Sequence, residues 1–291
     1  MATPMRSTDF RSIVEPILNE SFDGIYDQRA DEWKQVFREE RGIPRNYHEE
    51  PVLYGFGAAP ELPDGTAVTY QSGGVLFIQR YLYRVYGLAF ALTKVLVEDG
   101  DHIRIGQTYA KHLAQSLVET KETLGANILN RAFNGAYPGG DGKSLVATDH
   151  PIVTGTFSNQ LSTAAALSQT SLEQILIQVR NAVDNNGKRI RLTPKKLVSG
   201  PSNVFQAAVL LKSALRAGTA NNDVNPVKSM GMLDGGQANL SRITSTTAWW
   251  IQTDAPEGLK LAMRRGLEKS MEGDFETDSM RYKATERYNF G

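Results

Sequence analysis

Gln107–Phe133, QTYAKHLAQSLVETKETLGANILNRAF, carries Tyr109, Leu113, Leu117, Val118, Leu124, Ile128, Leu129 and Phe133 at steps of three and four. That period lines the apolar side chains along one face of a single helix, which at ~1.5 Å per residue runs for about 40 Å. Gly135 and the run Pro138-Gly139-Gly140-Asp141-Gly142 stop it. No heptad is sustained, so the helix reads as the beam of an elongated domain rather than a coiled-coil strand. A fitting partner lies at the far end of the chain. In Met280–Phe290, MRYKATERYNF, residues Met280, Tyr282, Ala284, Tyr288 and Phe290 alternate with Arg281, Lys283, Thr285, Arg287 and Asn289, and Glu286 is the one charge on the apolar side. Period two means a strand, and at ~3.3 Å per residue it spans roughly 35 Å, a length matched to the helix.

Outward from this pair the chain divides by pattern. Residues 9–30 predict an amphipathic helix through Phe10, Ile13, Val14, Ile17, Leu18, Phe22 and Ile25, with Asp9 as its cap. From Trp33 to Gly57 the runs WKQVF and PVLYGF read as extended, split by REERGIPRNYHEE, an arm that needs something else to lie on. Residues 58–86 read as a long hairpin turning at Gln71-Ser72-Gly73-Gly74, and a lone hairpin is marginal in water.

Farther on, Thr170-Ser171-Leu172-Glu173 has the spacing of a capping box, ahead of a helix with Leu172, Ile175, Leu176, Val179 and Val183 on one face and Asn185-Asn186-Gly187 as its stop. A strand at Lys195–Val198 follows, then a helix from Ser202 to Leu215 with Val204, Phe205, Ala208, Val209 and Leu215 inward. The strand Ala248–Thr253 comes last, its Trp249 and Trp250 assigned to the core. This is an α+β unit and places a compact second domain at 146–258.

Composition narrows the function classes. The 291 residues hold 32 Lys and Arg against 32 Asp and Glu, so no basic excess drives general nucleic-acid binding. With no cysteine and only His48, His102, His112 and His150 as soft ligands, thiolate sites are excluded and metal-dependent catalysis is not expected. Asp9, Glu15 and Glu20 interrupt any signal-peptide core, and Gly87–Val97 falls far short of the ~20 apolar residues a membrane span needs.

The chemical candidates fail in turn. Gly139-Gly140-Asp141-Gly142-Lys143-Ser144 ends like a phosphate-binding loop, but Tyr137 occupies the position of the first required glycine and the loop follows a helix instead of a strand. Asp149-His150 lacks a nucleophile elbow. Asp274, Glu276 and Asp278 begin like a calcium loop, yet Ser279 stands where glycine is needed and Thr285 where a ligand Glu is needed. Arg264-Arg265 and the polar side of the last strand are equally suited to phosphate contact and to guarding a strand edge. No catalytic, cofactor or metal residue is assigned. What remains is apolar surface on an arm, a hairpin and a helix–strand pair that one chain cannot readily cover, so neighbouring copies are expected to cover it.

Several blocks, taken in order, resemble a known family. They are Ala126–Phe133 (ANILNRAF), 139–151 (GGDGKSLVATDHP), Arg191–Val198 (RLTPKKLV), 210–226 (LLKSALRAGTANNDVNP) and 253–291 (TDAPEGLKLAMRRGLEKSMEGDFETDSMRYKATERYNFG). Together they are similar to the major capsid proteins of tailed bacteriophages, with the Hong Kong 97-type capsid fold, nearest the Mu-like head subunits. The resemblance runs from about Trp33 to Gly291.

It implies an N-terminal arm over 1–57 and an extended hairpin loop over 58–86. It also implies a peripheral domain over 87–145 and 259–291 with a spine helix at 107–133, and an axial domain over 146–258. Its implied function is a head subunit that self-assembles into pentamers and hexamers, closing an icosahedral or prolate shell around double-stranded DNA. Implied partners are a scaffold, a portal and decoration proteins, with no membrane. The location implied is the virion capsid, after assembly in the host cytoplasm. No long helical scaffolding segment precedes the arm, so a separate or removed scaffold is expected, and no crosslinking Lys–Asn pair is locatable.

On the residues, Phe77, Tyr81, Tyr83 and Leu62 are the candidate subunit-interface anchors, aromatic rings being favoured in such contacts. Arg281, Lys283 and Arg287 are candidates to face DNA. A soluble hydrolase or NTPase using the 139–144 loop, or another virion structural component, stands as the alternative.

Overall fold

The computed structural model describes residues 7–28, 31–42, 45–93, 95–96, 102–216, 223–274 and 279–291. Within them the helices are α1 (Ser7–Tyr26), α2 (His102–Asn130), α3 (Gln169–Arg180), α4 (Val204–Lys212) and α5 (Pro226–Ser229). The strands are β1 (Arg38–Arg41), β2 (Tyr47–Tyr54), β3 (Gly74–Leu82), β4 (Arg84–Leu92), β5 (His150–Ile152), β6 (Gly155–Phe157), β7 (Pro194–Ser199), β8 (Gln237–Asn239), β9 (Trp249–Thr253), β10 (Lys260–Asp274) and β11 (Ser279–Phe290).

The helix–strand pair inferred from periodicity is the organising feature. Helix α2 buries Gly106, Ala110, Leu113, Ala114, Leu117, Val118, Lys121, Glu122, Gly125, Ala126 and Leu129, a stripe at steps of three and four. Strand β11 buries every second residue, Tyr282, Ala284, Glu286, Tyr288 and Phe290 among them. It is the inner strand of a sheet ordered β1-β10-β11-β4, antiparallel to both neighbours, with β1 parallel to β10 at the edge.

Leu113, Leu117, Val118 and Leu129 of the expected stripe are buried and Leu124 and Ile128 pack beside the core, so the difference lies at the edges of the stripe. Small residues turn inward while Tyr109 and Phe133 are about half exposed. The reason is close approach: a Cβ on Gly125 would lie 3.2 Å from the Phe290 ring and 3.3 Å from Trp33 Cβ.

The N-terminal helix forms as its period predicts, and it and the segment after it lie on their own chain. Val14, Leu18 and Phe22 of α1 are buried against Ala110, Leu113, Ala114 and Leu117 of α2 and Met271, Tyr282 and Ala284 of the sheet. Full burial of such side chains is worth ~1.5–3 kcal/mol each, enough to hold the helix on its own chain. Glu32–Gln35, expected extended, forms a 3-10 turn that buries Trp33. Trp33, Val36 and Phe37 then join Leu129, Leu261, Tyr288 and Phe290 in a second core cluster. The partner these residues needed comes from the last thirty residues of the same chain, which local pattern alone does not reveal.

The expected hairpin over 58–86 is also redrawn. Its strands are β2 and β3, paired antiparallel from Tyr47–Leu82 to Tyr54–Gly74, and the residues between Tyr54 and Gly74 form an exposed tip without strands. β4 belongs instead to the main sheet. Pattern alone could not separate β3 from β4, because Tyr83 is the only residue between two apolar runs.

A smaller sheet, β8-β7-β9, packs with α3, α4 and α5 around Leu167, Leu172, Leu176, Leu197, Ala207, Leu210 and Val227. Two expectations here are corrected. The cap of α3 is Ser168, whose hydroxyl accepts from Ser171 N while Ser171 Oγ accepts from Ser168 N. In α4, Ala207 and Leu210 face inward, whereas Phe205 is 84% exposed and Val209 and Leu215 are exposed. The preceding 3-10 turn, Pro201–Asn203, starts the helix later than Ser202 and rotates its face. Trp249 and Trp250 point to opposite sides of β9, packing respectively with the cluster around Leu172 and the one around Trp33.

Candidate functional site

The β2–β3 hairpin has two unlike faces, set by the period of two. One carries His48, Glu50, Val52, Phe77, Gln79 and Tyr81, all half-buried toward the body of the chain. The other presents Tyr47, Pro51, Leu53, Val75, Ile78 and Leu82 to solvent, with Arg80 ion-paired to Glu49 at 2.7 Å. Leu53, Val75, Ile78 and Leu82 are each more than half exposed, and so are Phe56, Leu62, Val68 and Tyr70 of the tip. Contiguous apolar surface on this scale marks a protein contact site rather than scattered exposure.

The candidate anchors therefore separate. Leu62 is exposed as an anchor must be. Phe77 and Tyr81 sit on the inward face; a Cβ on Gly291 would fall 2.2 Å from the Tyr81 ring. Tyr83 is 6% exposed, so it fills this chain's own interior and cannot be an interface anchor. The outward residues Leu53, Ile78 and Leu82 went unnoticed, although their alternation with Val52, Phe77 and Tyr81 is readable once β2 is recognised as the partner of β3.

The Gly-rich loop packs against the hairpin. It is closed by Gly139 N–H to Lys143 O at 2.6 Å, and a Cβ on Gly140 would lie 3.0 Å from Ile78 O and Gln79 Cα, so the loop supports β3. The Lys143 ammonium is consumed by Asp149, holding that carboxyl below its usual range through a direct hydrogen bond, and the Asp141 carboxylate meets His150 Nδ1 at 2.6 Å. Asp149 and His150 thus have separate partners and no shared nucleophile. Asp274 pairs with Arg281, while Glu276 and Asp278 lie outside the described residues.

Arg281, Lys283 and Arg287 do share the face of β11 turned away from α2. Arg281 is engaged by Asp274 and Arg287 donates to Asn46 Oδ1, so Lys283 is the least committed cation of the three. Behind this face, Glu286 is buried against Lys121 of α2, Oε2 to Nζ 2.8 Å, and accepts from the Tyr26 hydroxyl of α1. The Lys121 ammonium also lies 5.1 Å from the Tyr26 ring centre and 5.3 Å from that of Tyr288. Burial first, then the Glu286 charge, holds both phenols well above their ordinary range.

A groove of about 1020 Å³ runs between the two clusters that flank β9, lined by Leu129, Phe133, Phe157, Ile175, Trp249 and Trp250 among others. None of these arrangements joins a nucleophile, a base and an orienting group. No helix among the described residues is long and apolar enough to cross a membrane.

Solved capsid structures share this fold at low sequence identity. The decorated capsid of bacteriophage JBD30 is 12% identical, over 75% of this chain and 92% of that one, with a TM-score of 0.57. The capsid of cyanophage P-SCSP1u is 12% identical over 90% and 85%, with a TM-score of 0.52. The virus-like particle from Pyrococcus furiosus is 11% identical over 94% and 93%, with a TM-score of 0.50. At such identity the likeness speaks to the fold, which is the Hong Kong 97-type capsid fold. No curated protein matches. The family model described as phage capsid protein matches residues 84–291, well over half of the chain. The chain accordingly belongs to the phage capsid protein family, as a structural subunit and not an enzyme.

Proposed function

We propose that copies of this chain assemble into pentamers and hexamers that close an icosahedral or prolate shell around double-stranded DNA, in the host cytoplasm, with scaffold, portal and decoration proteins as partners. On this reading 146–258 forms the axial domain around the symmetry axes, and 87–145 with 259–291 forms the peripheral domain. The observation that carries it is the outward face of the β2–β3 hairpin, where Leu53, Val75, Ile78 and Leu82 are each more than half exposed among the described residues. A two-stranded sheet is marginal alone, so a neighbour that covers this face stabilises both partners. Each contact need contribute only modestly, because a closed lattice multiplies it. Net charge of zero, from 32 cations and 32 anions, suits an inner wall that must not hold DNA tightly.

The test is Leu53→Glu with Ile78→Glu, two exposed positions whose charges cost the lone subunit little. Sedimentation should show subunits that fold with unchanged thermal midpoint and no longer form large particles. Particles of normal size and yield would refute the hairpin as the contact.

A further inference from the structure

At the root of the hairpin, Glu40 of β1 and His48 and Glu50 of β2 each bring one ligand atom to within 4.8 Å of the others. All three are part-exposed, so the position is reachable from solvent. His48 Nε2 and Glu50 Oε1 are already 2.9 Å apart, the imidazole and the carboxylate turned toward one another. Two buried polar atoms of this region make no hydrogen bond: Glu40 Oε2, which meets only the Lys260 ammonium at 3.6 Å, and the hydroxyl of Tyr83, a residue only 6% exposed. That hydroxyl feels, after burial itself, the charge of Glu40 and then Glu50, which together push the phenol up to about 12. The hydroxyl is within electrostatic reach of both carboxylates and hydrogen-bonds neither, which leaves a buried donor unused at this position.

The local charge is unbalanced. Glu50, Glu257 and Glu40 converge on the single buried ammonium of Lys260, the last two at 3.2 and 3.6 Å, and Arg38 reaches Glu40 only at 3.8 Å from an exposed position. The Lys260 ammonium donates hydrogen bonds to both Glu50 and Glu257. It can keep Glu257 while Glu50 and Glu40 turn to a second cation.

We propose that Glu40, His48 and Glu50 form a divalent transition-metal site, fitted to Zn²⁺, that pins the hairpin to the edge strand of the main sheet. One imidazole nitrogen and two carboxylate oxygens are a three-ligand set for zinc, whose fourth position a water takes. A tetrahedral ion with ~2.1 Å bonds sets its ligands ~3.4 Å apart, between the 2.9 Å of the His48–Glu50 pair and the 4.8 Å within which all three atoms lie. Because Glu40 belongs to β1 and the other two to β2, the ion links two sheets that otherwise meet here through Lys260 and Tyr81. Its predicted effect is to fix the direction in which the apolar hairpin projects. The site does not depend on what the hairpin contacts.

The experiment is calorimetric titration of ZnCl₂ into the purified chain in a non-chelating buffer, with proteolysis of the 55–73 tip followed in parallel. The expected result is saturable binding of one ion per chain, weakened at least tenfold in His48→Ala and in Glu40→Gln and unchanged in His112→Ala, whose histidine is exposed on α2. Added zinc should slow cleavage of the tip in the parent chain and leave it unchanged in His48→Ala. Two variants of different chemistry guard against one that misfolds. Absence of saturable binding, or equal binding in His48→Ala and Glu40→Gln, overturns the proposal.

Discussion

Replacing Lys121 by Met isolates the one charged contact that ties α1, α2 and β11 together. Lys121 and Glu286 side chains are 7% and 1% exposed, so water cannot take over for either. Removing one member of a buried pair typically costs ~3–5 kcal/mol, because the other charge is left without compensation. Here the Tyr26 hydroxyl still donates to Glu286, which places the expected cost of Lys121→Met near the lower end, about 3 kcal/mol, or roughly a hundredfold in the folding equilibrium. The converse change, Glu286→Leu, should cost less. Its stranded ammonium keeps the Tyr26 hydroxyl as acceptor and the faces of two phenol rings, and a buried lysine can shed its proton. The double variant Lys121→Met with Glu286→Leu should return close to the parent, since well-packed apolar replacements of a buried pair are often neutral. Urea unfolding of unassembled subunits, read by circular dichroism, gives all four corners of the cycle. A Lys121→Met cost below ~1 kcal/mol, or a double variant as unstable as the sum of the singles, would refute the reasoning.

Glu122, next to Lys121 on the buried stripe, predicts a pH dependence. It accepts from the backbone N–H groups of Glu32 and Trp33 at 2.7 and 3.1 Å, yet burial outweighs these bonds and raises its carboxyl from 4.5 to about 7. The unfolded state ionises first as pH rises, so the contribution is fully present below pH ~4.5 and is lost as pH rises through about 7. The parent chain should lose up to about 3 kcal/mol between pH 5 and 8.5 that Glu122→Gln does not lose, and equal slopes in the two would contradict the assignment. Reversing Arg281, Lys283 and Arg287 to Glu should weaken DNA retention by assembled particles while leaving assembly intact. Most of the effect should come from Lys283, since the other two are engaged by Asp274 and Asn46. Retention equal to that of the parent in a nuclease-protection assay would remove these residues from the DNA-facing surface.

The parts of the fold legible in the sequence are those with a long uninterrupted period. The α2 helix and the alternation of β11 extend over several turns and pleats, and Glu286 stood out in advance as the odd residue of its face. The expected face of α2 held at Leu113, Leu117, Val118 and Leu129 but missed Gly106, Ala110, Gly125 and Ala126, which contribute little to an apolar stripe while permitting the closest packing. The N-terminal helix was legible from its period but what covers it was not, because partners such as Leu261, Met271, Tyr282 and Phe290 lie more than 200 residues away, beyond the reach of local patterning. In the hairpin the error was one of partner. β3 was paired with the sequence before its Gly-Gly turn, but the glycines border a nineteen-residue excursion, 55–73, that leaves from β2 and returns as β3. The candidate site suffered accordingly: Phe77, Tyr81 and Tyr83 are the large rings, yet the pleat turns them inward and leaves the smaller Leu53, Ile78 and Leu82 outside.

The central claim is that a single copy is incomplete and that a lattice of copies completes it. Electron microscopy of the purified, full-length chain across a concentration series tests it most directly. The account predicts rings of five and six subunits and closed shells, with the outward face of each hairpin covered by a neighbour. A population that remains monomeric at every concentration, with the hairpin folded onto its own body and Leu53, Ile78 and Leu82 buried there, would contradict it.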